Sequence, residues 1–426
     1  MKILLKAAKI IDDSSPFHLL TKDILIEKGT ITKIEDNITD EADRTIASEQ
    51  LHVSQGWIDL RVHLKEPGFE DHENLDQLVT EASKGGFTGI GLLPNTKPVT
   101  QTKEAIKSIL AYSEKSILNL YPLAAVSINC EGKDFTDMLD LHKAGAKGFS
   151  DGEKSLNNPD FILKTLLYLS QVDATYFGHA NESDLSKYGQ MNESKTSNLL
   201  GLKGIPKVAE EIAIMRDLKL LTYLKESGVN AKYHFSVIST KTSIELIREA
   251  KQNQLDVTCD VAIHNLIFND QKLETFDTNY KVNPPLRDQE DINALWSGLR
   301  DGTIDAIVSD HHAYNEEYKN LEFDLAEFGI MGLATLFGQV NQHPNFIGLE
   351  KFIALICKNT RSILSLPSNT IQVGAEANLT VFDPTISWNY APSKHHPSKN
   401  SPFIGQQMLG KSLAIINKST YYFSES

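Results

Sequence analysis

The stretch Gly56-Trp57-Ile58-Asp59-Leu60-Arg61-Val62-His63-Leu64-Lys65-Glu66-Pro67-Gly68 is an apolar run crossed by Asp59, Arg61 and His63 and closed by a proline and a glycine. Side chains two apart on a strand point the same way, so Arg61 and His63 leave its carboxyl end together. Two histidines so placed would be neighbouring metal ligands. Here the first is arginine, a permanent cation with no lone pair to give. More polar residues stand just past other apolar runs, at Asn95, Asp151, His179, His264 and Asp310, whereas one run ends in Val237. Imidazoles and carboxylates gathered from several strand ends could ligate a metal or pair with a guanidinium. Which of the two they do turns on Arg61.

Gathering them requires parallel strands that end on one side. Apolar β-rich runs recur at 57–62, 87–93, 118–126, 146–149, 174–178, 231–237, 256–262 and 304–309. Helical periodicity fills intervals such as 73–84, 103–114, 158–170, 206–227 and 241–253, several of them opening near Asn, Ser, Thr or Pro. Strands alternating with helices in this number predict an α/β fold, a (β/α)8 TIM barrel, whose chemistry sits at the carboxyl ends of its strands. Short β-like runs at 3–5, 23–26 and 30–34 and again at 377–383 and 412–416 lie outside this pattern. They predict a small composite β-sandwich domain from both termini, residues 1–53 and 368–426, around a barrel over 54–367.

With 426 residues, 41% hydrophobic and 23% charged, the chain has ordinary globular composition. Its net charge of −14 argues against a nucleic-acid surface. Cys130, Cys259 and Cys357 are few and far apart and form no Cys-x-x-Cys pair, so neither a disulfide framework nor a cysteine zinc site is supported. No run reaches the roughly 18 apolar residues of a membrane span, and the charged start is no signal peptide, so the expected location is cytoplasmic, without a membrane partner.

Taken in order, these segments resemble the dihydroorotases of the amidohydrolase superfamily, in particular their long bacterial class. Besides residues 56–68, the resemblance rests on Gly85-Gly86-Phe87-Thr88 with Pro94-Asn95-Thr96 and on Phe149-Ser150-Asp151-Gly152. It continues through Lys281-Val282-Asn283-Pro284-Pro285-Leu286-Arg287, Asp301-Gly302-Thr303-Ile304-Asp305, Ser309-Asp310-His311 and Lys399-Asn400-Ser401-Pro402-Phe403. The resemblance implies interconversion of dihydroorotate and carbamoyl-aspartate in pyrimidine biosynthesis, with zinc polarising the amide and activating water. It implies a first zinc on positions 61, 63, 151 and 310, a second on 151, 179 and 237, and Asp310 as the catalytic proton shuttle. Substrate recognition would fall to Lys65, Asn95, Asn283 and His311.

The chain departs from this pattern at Arg61 and Val237, each replacing a histidine ligand, while His63, Asp151, His179 and Asp310 remain. Lys65 stands for an arginine, and His264-Asn265 for paired histidines. The expectation is that Arg61 replaces zinc electrostatically beside Asp151 and Asp310, leaving zinc absent or weakly bound. Two functions stay open. One is a catalytically degraded homologue with a structural or regulatory role, partnered by aspartate transcarbamoylase and itself a homo-oligomer. The other is an active hydrolase of dihydroorotate or another cyclic amide, working with a single metal or none. His234 is out of phase with position 237 and is no substitute ligand. Of His311 and His312, one is expected inward and one solvated; His395 and His396 read as a surface loop, and residues 193–203 as a loop or lid.

Overall fold

The computed structural model describes residues 1–424. Five strands open the chain: β1 (Lys2–Ile11), β2 (Thr21–Glu27), β3 (Thr30–Glu35), β4 (Arg44–Ile46) and β5 (His52–Gln55). Lys28 and Gly29, at φ 49° and 80°, make the tight reversal that returns β2 as β3. Then come β6 (Trp57–Val62), β7 (Phe87–Leu92), β8 (Asn119–Ala124), β9 (Gly148–Phe149) and β10 (Thr175–His179). After a small parallel pair, β11 (Met191–Asn192) and β12 (Gly204–Ile205), the series resumes with β13 (Lys232–Ser236), β14 (Val257–Ala262) and β15 (Ala306–Val308).

Strands β6 to β10 and β13 to β15 pair in parallel in chain order, and a bridge from Val62 to His311 brings the last strand end beside the first. The expected (β/α)8 barrel is therefore present, with helices over Leu75–Gly85, Lys103–Ser113, Pro159–Ser170, Lys207–Glu226 and Lys241–Gln252 close to the intervals read from periodicity. Their ends follow from local chemistry. Asn74 and Gln77 form a capping box, Asn158 caps a helix that begins at Pro159, and Gly86 closes the first helix in the left-handed region at φ 90°.

The carboxyl-terminal strands β16 (Asn378–Asn389), β17 (Gln407–Asn417) and β18 (Thr420–Phe423) join the amino-terminal ones in one sheet ordered β18-β17-β16-β5-β1-β2-β3, with β4 also on β1. Both ends of the chain thus build the second unit. The fully buried Trp57, edge-on to Phe87, Phe337 and Phe352, packs at the foot of β6. Residues 193–203 are more ordered than the expected loop: they hold a short helix, Lys195–Leu200. Buried Arg287 ties down its flanks, donating to Asn192 Oδ1 at 3.0 Å and to the Ile205 carbonyl at 2.9 Å. Among the described residues, no helix is long and apolar enough to cross a membrane.

Candidate functional site

Asp59 organises the barrel mouth from below. Its two carboxylate oxygens accept the backbone N–H groups of Arg61 (2.9 Å) and Ser309 (2.8 Å), tying the end of the first strand to the end of the last. Burial pushes this carboxyl up to about 7. Above it the Arg61 Nε donates to Asp310 Oδ1 at 2.7 Å, and the two side chains are only 3% and 8% exposed. His63 Nε2 reaches the same oxygen at 3.1 Å. Burial alone would raise the Asp310 carboxyl, but the Arg61 guanidinium and the His63 bond outweigh it and hold the group well below the usual carboxylate range.

Asp151 does not join them. Its Oδ1 accepts the N–H groups of Val126 and Ser127, each at 3.0 Å, and its Oδ2 the Ser127 hydroxyl, so the carboxylate is spent on the end of β8. This corrects the expectation that both aspartates flank Arg61. The carboxylate that enters the mouth from this strand end is Glu153, whose Oε1 lies 3.0 Å from His63 Nδ1. Gly152, at φ 66°, makes the turn; a Cβ there would lie 1.6 Å from Asn95 Oδ1. The glycine beside Asp151 was the only sequence signal that the chain swings round at this point. Glu153 is 44% exposed; what desolvation it does suffer at the cavity edge would raise its carboxyl, yet the hydrogen bond from His63 holds it down at about 2.

The remaining ligand positions are incomplete. His179 faces the cavity, its Nε2 3.5 Å from Asn283 Nδ2 and its Nδ1 without a partner. Burial, with Arg61 adding to it, pushes His179 down to about 3. Val237 is buried among apolar side chains in a left-handed conformation, φ 51°, that a β-branched residue disfavours. Its N–H is pinned by Asp260 Oδ1 at 2.5 Å. The other oxygen of Asp260 meets His234 Nε2 at 2.8 Å, so His234 is a satisfied interior residue, as its phase implied. His264 is fully buried, with neither ring nitrogen hydrogen-bonded and Nε2 4.0 Å from Asp310.

Three of the four expected recognition positions make contacts within the chain. Lys65 lies buried over the Tyr314 ring, 4.0 Å from its centroid, and burial pushes it down to about 8. Asn95 braces the 151–153 turn, donating to the Asp151 carbonyl at 3.0 Å and accepting the Glu153 N–H at 3.2 Å. His311 Nε2 pairs with Glu73 Oε1 at 3.0 Å while its Nδ1 accepts from the backbone of Gly332 and Leu333. Only Asn283 still lines the cavity. His396 shares the same Glu73 oxygen at 3.0 Å and is buried, contrary to the surface loop expected there. Of His311 and His312 one was expected in solvent, yet both are buried, and His312 stacks on His63 with ring centroids 3.7 Å apart.

The space left beside Arg61, His179 and Asp310 is about 100 Å³. Glu327, Phe328 and Gly329 line it, and two buried lysines hold the segment 323–329 that carries them. Lys281 Nζ donates to the carbonyls of Phe323 (2.7 Å), Asp324 (3.2 Å) and Ala326 (2.6 Å), and Lys319 Nζ to those of Glu327 (2.8 Å) and Gly329 (3.1 Å). A wider cleft of about 390 Å³ beneath residues 276–279 and 316–321 contains none of the implied ligand or recognition positions.

A second constellation, His63, Glu153 and His312, brings possible ligand atoms within 4.8 Å of one another. The two imidazoles lie face to face, 7° from parallel. Ring nitrogens coordinate along in-plane lone pairs, so one ion cannot sit correctly on both rings without turning one of them.

Comparison with known proteins places this architecture. The D-hydantoinase fold aligns with TM-score 0.82 at 21% identity over 99% of this chain and 95% of that one. The L-hydantoinase (dihydropyrimidinase) of Arthrobacter aurescens gives 0.84 at 23% identity, over 100% and 96%. A family model described as Dihydro-orotase-like matches residues 51–243. A dihydroorotase of Pelotomaculum thermopropionicum is 35% identical over 420 residues, covering 98% of this chain and 97% of its own. One of Syntrophus aciditrophicus is 35% identical over 431 residues, covering 100% of both. With 35% identity carried over nearly the full length of these relatives, the chain with this barrel mouth belongs to the dihydroorotase family.

Proposed function

We propose that this chain has given up metal-dependent ring hydrolysis and serves pyrimidine biosynthesis in the cytoplasm as a structural or regulatory protein, with aspartate transcarbamoylase as its expected partner. The observation that carries this reading is the 2.7 Å bond from Arg61 Nε to Asp310 Oδ1. The guanidinium brings a positive charge to the place of the cation but offers no lone pair and cannot make hydroxide from water at neutral pH. The zinc implied by the family does not fit the residues present: Arg61 and Val237 are not ligands, and Asp151 faces away. Asp310 fares no better as a base, because a carboxylate held far below its ordinary range takes protons weakly. Recognition is weakened by the same logic, since Lys65, Asn95 and His311 are committed to internal contacts.

The proximity of His63, Glu153 and His312 favours a second reading, a hydrolase that seats a single metal on them after one ring turns. One assay separates the two. Purified protein is tested for dihydroorotate hydrolysis and for the reverse ring closure, with and without added zinc. No turnover in either condition is the expected result, and zinc-dependent turnover would establish the second reading instead. The variant Arg61→His/Val237→His is expected to regain zinc binding, with full activity needing repair at position 65 as well. The partner is tested by co-sedimentation with aspartate transcarbamoylase of the same organism, and failure to associate removes that part of the reading.

A further inference from the structure

The cleft formed by residues 276–279 and 314–321 lies in the loops that follow β14 and β15, the seventh and eighth strands of the barrel. Its volume of about 390 Å³ falls within the roughly 300–1,000 Å³ of small-molecule sites, whereas the cavity beside Arg61, at about 100 Å³, does not. In barrels of this kind the loops after the seventh and eighth strands are a frequent seat for phosphate.

Lys319 lines the cleft and is only 5% exposed. Of its three N–H groups, two go to the carbonyls of Glu327 and Gly329, and among the described residues no carboxylate oxygen lies within 4.0 Å of Nζ. A buried cation is thus left with a free donor and no counter-ion. Burial, with Lys281 adding to it, pushes the group down to about 7 despite Asp277 and Glu327, as expected of a charge that its surroundings do not neutralise. Lys399, exposed on the same cleft, also has no ion pair among the described residues. Ammonium groups act on phosphate as compact point charges. Phe276 is 46% exposed and held at φ 56°, a left-handed conformation that a bulky side chain rarely adopts, so its ring is kept in the cleft wall at a cost in strain. An exposed aromatic face stacks on a flat base of any sequence. Asp277 and Glu316, the acidic residues of the lining, accept hydrogen bonds from hydroxyl groups, and the amides of Asn279 and Asn320 offer both donor and acceptor to a base edge.

We propose that this cleft binds a nucleoside monophosphate, with its phosphate on Lys319 and Lys399, its sugar hydroxyls on Asp277 and Glu316, and its base against Phe276. Lys319 also holds residues 327–329, which line the cavity beside Arg61, so an occupied cleft tightens that segment. The cleft is outside that cavity, and its assignment does not depend on the loss of catalysis.

The test is calorimetric titration of the full-length chain with uridine monophosphate and adenosine monophosphate, with uridine and inorganic phosphate as the ring-only and anion-only controls. At least one nucleotide is expected to saturate the chain with a Kd below about 1 mM, at least tenfold tighter than either control. Phe276 and Lys399 are on the surface, so Phe276→Ala and Lys399→Glu are expected to fold as the parent does, which circular dichroism checks, and each to weaken the nucleotide about tenfold. Hydrogen–deuterium exchange with the nucleotide bound is expected to slow at residues 276–279 and 314–321 and, through Lys319, by about threefold at 323–329. Failure of both nucleotides to saturate, a control that binds as tightly as they do, or variants that bind like the parent would overturn the proposal. So would protection that appears only outside these segments.

Discussion

Replacing Arg61 with methionine keeps most of the side-chain volume and removes the charge. Asp310 then stays in a site where its side chain is 8% exposed, with the 3.1 Å contact to His63 Nε2 as its one remaining hydrogen bond and His264 Nε2 4.0 Å away. Removing one partner of a buried ion pair costs about 3–5 kcal/mol, and the surviving His63 contact places this case near the lower end, about 3 kcal/mol. Removing both partners is different. Arg61→Met/Asp310→Leu leaves no buried charge behind and is expected to lie within about 1 kcal/mol of the parent, far from the sum of the two single losses. Urea unfolding followed by tryptophan fluorescence reads the cycle, because Trp57 and Trp296 are fully buried reporters. The pH dependence adds a sign. Asp310 is depressed in the folded chain, so its contribution is present above the ordinary aspartate range near 3.9 and is lost as pH falls below it. Without Arg61 that acid-side loss becomes smaller. If Arg61→Met unfolds within about 0.5 kcal/mol of the parent, the guanidinium is not neutralising a buried carboxylate and the reasoning fails.

Glu73 holds His311 and His396 together; burial would raise its carboxyl, but His311 first and then His396 bring it down to about 2. Its stabilisation is therefore complete above about 4.5 and disappears as pH falls towards 2, so Glu73→Gln should lower stability at neutral pH and flatten the acid limb between those values. An acid limb unchanged by the substitution would contradict this. Lys281→Met removes three charge-assisted hydrogen bonds from residues 323–329. At a loss of about 2 kcal/mol, amide exchange in that segment should accelerate about thirtyfold, measured by hydrogen–deuterium exchange, with the strands beneath unaffected.

The barrel could be read from the chain because buried parallel strands are nearly continuous apolar runs and the polar residue after each marks its end. Residues 57–62 and 87–93 show this, and His63, His179 and Asp310 duly stand at one mouth. Side-chain direction could not be read in the same way. Asp151 sits at the expected strand end, yet two backbone N–H groups and a hydroxyl turn it towards β8, and the glycine after it brings in Glu153 instead. His396 looked solvated because its partner, Glu73, lies 323 residues earlier in the chain. Asn95 and His311 match family positions by type, but their bonds to the 151–153 turn and to Glu73 exist only once distant segments have packed.

The measurement closest to the central claim is the zinc content of protein expressed and purified in zinc-supplemented medium, taken after gel filtration. A guanidinium occupying the place of the cation predicts far less than one zinc per chain in the parent and a clear increase in Arg61→His/Val237→His. Close to one tightly held zinc per parent chain, lost on substitution of His63 or Asp310, would contradict the account.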